Sequence, residues 1–162
     1  MGGVCMVALS EGTTELVLTR GETVLIDRED WERAIGFNWY LQHGYAVGKP
    51  QWVSISLHRF IMNAPYGVEV DHINGNPLDC RKSNLRLCSR AQNARNSKKR
   101  VGGTSRFKGV YFESQTRKWR AVITVDYKSI RLGRFLSEID AALAYNAAAI
   151  EHHGEFARLN PL

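Results

Sequence analysis

Apolar positions fall into short runs with strand or helix spacing, never into a long one. From Glu15 to Asp27, Leu16 and Leu18 and then Val24 and Ile26 alternate with polar neighbours about Arg20-Gly21-Glu22, which is hairpin patterning. Residues 1–14 carry little periodicity and read as a loose end. Asp27 stands where it can cap a short helix, with Asp30 at the capping-box position, Trp31, Ala34 and Ile35 on one face and Gly36 closing it. Residues 38–42 and 45–48 predict a second hairpin across His43-Gly44, and Trp52 to Ser56 alternates as a further strand. Leu57 to Met62 has the spacing of a short amphipathic helix. Val70-Asp71-His72 is a strand ended by the turn residues Asn74-Gly75-Asn76-Pro77. Ser83 to Cys88 sets Leu85 and Leu87 against Arg86 as a second strand, and Ser89 caps a helix reaching Asn93 and Asn96.

The last third has its own pattern. Phe107 to Phe112, Trp119 to Val125 and Ser129 to Phe135 read as three strands, with a tight turn at Asp126-Tyr127. Ser137 and Asp140 form a Ser-x-x-Asp box opening a helix on which Ile139, Ala142, Leu143 and Ile150 recur at helical spacing. Between the two patterned regions, residues 96–105 are basic first and glycine-rich second, the composition of a linker.

Composition narrows the class. With 162 residues there is room for one ordinary domain or two small ones. Charged residues at 23% and apolar ones at 44% describe a folded chain. No run approaches a membrane span, no leader is visible, and Cys5, Cys80 and Cys88 have neither disulfide-framework nor zinc-knuckle spacing. Free thiols in a reducing cytoplasm are the expectation. The net charge of +6 is uneven: residues 1–57 sum to −3, residues 58–105 to +6 and residues 106–162 to +3. Positive charge therefore gathers where a phosphate backbone would lie.

The chemistry sits in residues 70–93. Asp71 and His72 are adjacent, so an extended backbone points them to opposite sides. They can serve as a metal ligand on one side and a free imidazole on the other, and a neutral imidazole near pH 7 accepts a proton from water. A carboxylate with an amide oxygen is a hard donor set that suits Mg²⁺ or Mn²⁺ better than zinc. An isolated Asp-His pair is commonplace. The joint spacing is not: Asn84 follows His72 by twelve positions and Asn93 follows Asn84 by nine, with Leu-Arg-Leu between the amides.

On these residues the region resembles the HNH nucleases, most closely the phage and intron-encoded homing endonucleases with a ββα-metal core. The resemblance implies that Asp71 and Asn93 bind one divalent cation, that His72 is the general base, and that Asn84 orients His72 and braces the loop. Asn93 fills the position of the family's final His. His58 and Arg59 match the pattern usual in this branch, which leaves two readings open: contacts to the scissile phosphate or leaving group, or a hydrogen-bonded packing histidine beside a solvated cation.

Residues 106–162 resemble the apetala-type, or ethylene-response-factor, DNA-binding domain. The carriers are Phe107-Lys108-Gly109-Val110, Lys118-Trp119-Arg120-Ala121, Leu132-Gly133-Arg134-Phe135, Ala141-Ala142-Leu143-Ala144-Tyr145 and Gly154-Glu155-Phe156-Ala157-Arg158-Leu159-Asn160. The resemblance implies that the open sheet face enters the major groove. Period two turns Trp119, Ala121 and Ile123 to the helix. Arg120, Val122 and Thr124 then face outward with Lys108, Tyr111, Ser129 and Arg131, and Arg117 and Lys118 meet phosphate at a turn. Lys98, Lys99 and Arg100 of the linker are further phosphate contacts, which position without specifying.

The expected fold is α+β: a β-rich segment over residues 1–57, an HNH core over 58–98, a linker over 99–105, and a three-stranded antiparallel sheet packed on one helix over 106–162. The expected function is a DNA endonuclease of the homing type acting on double-stranded DNA, cutting or nicking with one Mg²⁺ or Mn²⁺. A monomer would nick, and a dimer would be needed for a symmetric double cut. The rival reading is a sequence-specific DNA-binding regulator with a relic nuclease core.

Overall fold

The computed structural model describes residues 8–10, 12–99 and 101–162. Cys5 and Arg100, the latter one of the expected phosphate contacts, lie outside them. Helices are mixed with several small sheets, and the chain divides into two compact units, residues 1–90 and 91–162.

In the first unit β1 (Ala8–Ser10), β2 (Thr13–Val17) and β3 (Thr23–Asp27) form an antiparallel sheet in chain order. Part of the expected loose end is therefore strand. Ala8 pairs with Thr14, and backbone pairing of this kind leaves no side-chain period to read. After β3 a 3-10 turn, Arg28–Asp30, runs into α1 (Trp31–Ile35). Asp27 makes no capping bond; its carboxylate accepts the Lys82 N–H at 2.7 Å. Asp30 is buried and paired with Arg33 at 2.9 Å and Lys82 at 3.0 Å, so it ties distant segments together instead of completing a box.

Strands β4 (Trp39–Gln42) and β5 (Tyr45–Gly48) close on His43 and Gly44, both at positive φ (50° and 84°), the turn whose twist suits a two-residue hairpin. The strand expected from Trp52 shrinks to β6 (Ile55–Ser56), because Pro50–Trp52 is a 3-10 turn and Trp52 itself has φ 65°. Then come α2 (Leu57–Ile61), β7 (Glu69–His72), the 3-10 turn Lys82–Asn84 and β8 (Leu85–Cys88), with β7 and β8 antiparallel. One core serves all of these pieces: Leu16, Val24, Ile26, Trp39, Leu57, Ile61, Val70 and Leu85 pack together. The strand carrying Asp71 and His72 is thus anchored through Val70 in the same apolar cluster as the first two hairpins. The loop after it is sewn to β3, where Leu25 N–H donates to the Leu78 carbonyl at 2.9 Å and Cys80 N–H to the Leu25 carbonyl at 2.8 Å.

The second unit takes in all but the first residue of α3 (Arg90–Arg95). Strands β9 (Val110–Glu113), β10 (Lys118–Val125) and β11 (Lys128–Phe135) make an antiparallel sheet in the order β11-β10-β9. One face lies against α4 (Glu138–His153), where Ala121 meets Ala141 and Ala142, and Ile123 meets Tyr145, Ala148 and Ala149. The Ser137 hydroxyl accepts the N–H groups of Ile139 and Asp140 at 3.1 and 3.4 Å, so the capping box forms at its serine end. The buried face of α4 differs from the expected one. Ala141, Ala142, Ala148, Ala149 and Tyr145 are inside, while Ile139, Leu143 and Ile150 are exposed. Small side chains let the helix backbone approach the sheet, and that fit outweighs the burial of larger groups. At Gly109 (φ 74°) the approach is so close that a Cβ would lie 2.1 Å from the Tyr145 ring.

The sheet holds an irregularity. Ala121 pairs with Gly133 but Val122 pairs with Arg131, leaving Leu132 as an extra residue in β11. Such a bulge shifts the alternation by one. Ser129 and Arg131 stand opposite Thr124 and Val122 on the outer face, and beyond the bulge Arg134 joins Arg120 on the same face.

Candidate active site

Strand β7 presents Asp71 and His72 to opposite sides, as its pleat requires. Asp71 faces Arg86, its direct partner in β8, whose Nε and Nη2 donate to the Asp71 Oδ2 at 2.9 and 2.7 Å. Both side chains are well covered, 6% and 12% exposed respectively, so this is a desolvated ion pair. The Leu85-Arg86-Leu87 alternation held the signal for Arg86, but only the β7–β8 register turns it toward Asp71.

His72 lies on the other side and is buried, its Nε2 3.8 Å from the Cys80 sulfur. Its ring meets that of His58 edge to face at 4.8 Å, and Tyr45 closes the group at 5.5 Å from His58 and 6.1 Å from His72. Burial pushes both imidazoles below their ordinary pKa. For His58 the value falls to about 3, with the neighbouring His72 and Arg59 adding to the effect. For His72 burial dominates, opposed by the nearby Asp71 and Asp79 carboxylates. Both rings are therefore neutral at pH 7, the state in which an imidazole can take a proton. Cys80 is no competing nucleophile, since burial raises its thiol to about 12.

Asn84 works on the loop. Its Oδ1 accepts the Asn74 N–H at 3.0 Å, and its Nδ2 donates to the Asn74 Oδ1 at 3.1 Å and to the Asp79 carbonyl at 2.8 Å. Asp79 was not apparent from the sequence. It is buried, accepts from Arg81 at 2.7 and 2.6 Å and from Asn74 at 2.9 Å, and is held below the usual carboxylate range chiefly by Arg81. Arg59 donates to the carbonyls of Val68, Pro65 and Ala64, which staples the chain between α2 and β7. The structure thus brings Asp71, His72, Asn84, His58 and Arg59 together in the first unit. Asn93 lies on α3, which groups with the second unit.

Among the described residues no group of three or more His, Cys, Asp or Glu side chains is arranged to hold a metal ion. The Asp71 carboxylate is a hard oxygen donor of the kind that Mg²⁺ and Mn²⁺ take, and its Oδ2 is engaged by Arg86.

Residues 57–95 match the profile of an HNH endonuclease family, HNH_3. An HNH endonuclease of Acanthamoeba polyphaga mimivirus is 32% identical over 154 residues, which cover 88% of this chain and 77% of that protein. The chain belongs to the HNH endonuclease family. Protein 3.8 of Escherichia phage T7 is 37% identical over 95 residues, 58% of this chain and 77% of the phage protein. No solved structure matches the chain. This HNH endonuclease is a DNA-cleaving hydrolase, and HNH nucleases typically use a divalent metal. No helix among the described residues is long and apolar enough to cross a membrane.

The outer face of the second sheet differs from the expected row of cations. Arg120 and Arg134 both reach Glu113, at 3.1 and 2.6 Å, and Arg120 also lies 5.7 Å from the Tyr111 ring centre. Glu113 was missed because the strand expectation ended at Phe112. Arg117 and Lys118 are exposed at the β9–β10 turn, Thr124, Ser129 and Arg131 are exposed further along, and Lys98 is exposed before the unit's first strand. Lys108 is engaged elsewhere: its ammonium donates to the carbonyls of Arg95 and Ser97 at 2.6 and 2.7 Å. Burial, with Arg158 nearby, lowers it to about 8.

Proposed function

We propose that this HNH endonuclease is of the homing type, cutting or nicking duplex DNA at a site chosen by its second unit. His72 is the general base. Its Nε2 lies 3.8 Å from the Cys80 sulfur. Asp71 and Asn93 are the oxygen donors for one Mg²⁺ or Mn²⁺, which when bound supplies charge stabilisation at the scissile phosphate. Asn84 keeps the Asn74–Asp79 loop in the shape that fixes His72, and Arg59 does the same for the approach to β7. His58 acts on the substrate side only through His72, by packing its ring. The observation that carries this reading is a neutral, buried imidazole one residue from a buried carboxylate, inside the segment that matches the family.

Site choice falls to the outer sheet face, as the likeness to apetala-type domains suggests. Arg120 and Arg131 read base edges with Tyr111, Thr124 and Ser129 beside them, and Arg117, Lys118, Lys98 and Lys99 meet phosphate. A phage or viral mobile gene is the setting that the relatives favour. The test is supercoiled plasmid with Mg²⁺ or Mn²⁺ against an EDTA control. Nicking or linearisation that EDTA stops and that His72→Ala abolishes supports the proposal; cleavage that survives His72→Ala removes the assigned base. Mapping the ends on random duplexes then decides between one strand and two, and Arg120→Ala must blur the recognised sequence.

A further inference from the structure

Helix α3 is six residues long and buries none of its own side chains. A helix that short does not hold itself in water; something else must fix it. Lys108 supplies two of the contacts that do so. The Lys108 ammonium donates to the carbonyl of Arg95, the last residue of α3, at 2.6 Å, and to that of Ser97 at 2.7 Å. A cation on the final carbonyls satisfies acceptors that the helix leaves open and opposes the negative end of its dipole. Arg95 also pairs with Asp126 at 3.1 Å, from the β10–β11 turn.

Lys108 is itself clamped. Its N–H donates to the Asn160 Oδ1 at 2.6 Å, and its carbonyl accepts from the Asn160 Nδ2 at 3.0 Å. Asn160 is buried and exchanges a matching pair of bonds with Asn146 of α4, at 2.8 and 3.0 Å. A continuous line of hydrogen bonds therefore leads from α4 through Asn146, Asn160 and Lys108 to the end of α3. The same end of the unit holds a cavity of about 670 Å³ lined by Ala91, Ala94, Arg95, Tyr111 and Val122 among others, so α3 has room to shift if the line is cut.

We infer that Lys108 is a positioning residue of the nuclease, a strut by which the second unit fixes α3 and with it Asn93. The inference rests on the assignment of Asn93 as a cation donor. It gives the second unit a part in fixing Asn93 in addition to its part in choosing the DNA sequence. It also explains why a lysine expected by resemblance to face DNA has its ammonium on backbone carbonyls.

The test uses the full chain. Lys108→Met keeps the apolar stem and removes the donors, and Lys108→Arg restores donors. Hydrogen exchange should show α3 and residues 96–99 losing protection about ten-fold in Lys108→Met while β10 keeps its own. Protection should return in Lys108→Arg. Mn²⁺ affinity by titration calorimetry without DNA should fall about ten-fold, the size expected when a ligand loses its support. Unchanged exchange in α3 overturns the strut. Loosened α3 with unchanged Mn²⁺ affinity overturns the positioning role. In that case Asn93→Ala separates the two failures: if it too leaves Mn²⁺ affinity unchanged, the assignment of Asn93 falls and not merely the strut.

Discussion

The Asp71–Arg86 pair offers the sharpest test of the geometry. Replacing Arg86 with Leu preserves a large apolar body in β8 but leaves the Asp71 carboxylate buried without the guanidinium that donates to it twice. Removing one partner of a desolvated pair costs about 3–5 kcal/mol, because the remaining charge keeps its desolvation penalty. Arg86 is 12% exposed, so water can reach part of the gap and the low end, about 3 kcal/mol, is the expectation. For a unit of this size each 1 kcal/mol moves the melting temperature by roughly 4–8 °C, which makes the expected drop about 12 °C or more. Urea unfolding followed by fluorescence of the buried Trp39 would measure it. Adding Asp71→Asn removes the stranded charge, so the double variant should recover most of the loss, with a coupling of about 2 kcal/mol across the cycle. An Arg86→Leu protein within about 0.5 kcal/mol of the parent, or a double variant no better than the single one, would refute the reasoning.

Three further outcomes follow from the same structure. His58 is held down to about 3 in the fold against an ordinary value near 6.5, so below pH 6.5 the unfolded chain takes up the proton first. Its contribution is complete above pH 6.5 and declines as pH falls toward 3, with a limiting slope of about 1.4 kcal/mol per pH unit; acid-limb urea titrations should flatten in His58→Gln. Asn84→Ala deletes three bonds into the Asn74–Asp79 loop and should cost about 3 kcal/mol by urea unfolding, and a change below about 1 kcal/mol would mean the loop is held some other way. Gly109→Ala places a Cβ against the Tyr145 ring at a backbone angle that disfavours side chains, so the second unit should lose about 2–4 kcal/mol; a melting temperature unchanged by calorimetry would count against the close approach.

Motif spacing and strand alternation made the family and several of the strands legible because both are local. Asp71, His72 and Asn84 fall within thirteen positions of one another, and the Trp119–Val125 run differs by one residue from the strand observed. What stayed hidden depends on partners distant in sequence. Nothing local says that Arg86 faces Asp71, that Lys82 closes on Asp27 and Asp30, or that Lys108 reaches α3. Helix α4 shows the converse failure: hydropathy points to Ile139, Leu143 and Ile150, but closeness to the sheet selects the alanines. Residues 8–10 were unreadable because an edge strand of three residues needs only backbone partners.

The additional leucine in β11 has a consequence for how such a surface can change over time. Deleting Leu132 would set Arg131 directly before Gly133 with both still opposite Val122 and Ala121, so the strand would lose its bulge while Ser129, Arg131 and Arg134 stayed on the outer face. A codon lost at that spot would thus change the local bend and twist of the sheet while leaving the outward side chains the same. The curvature of this face and its chemistry can therefore change independently of one another.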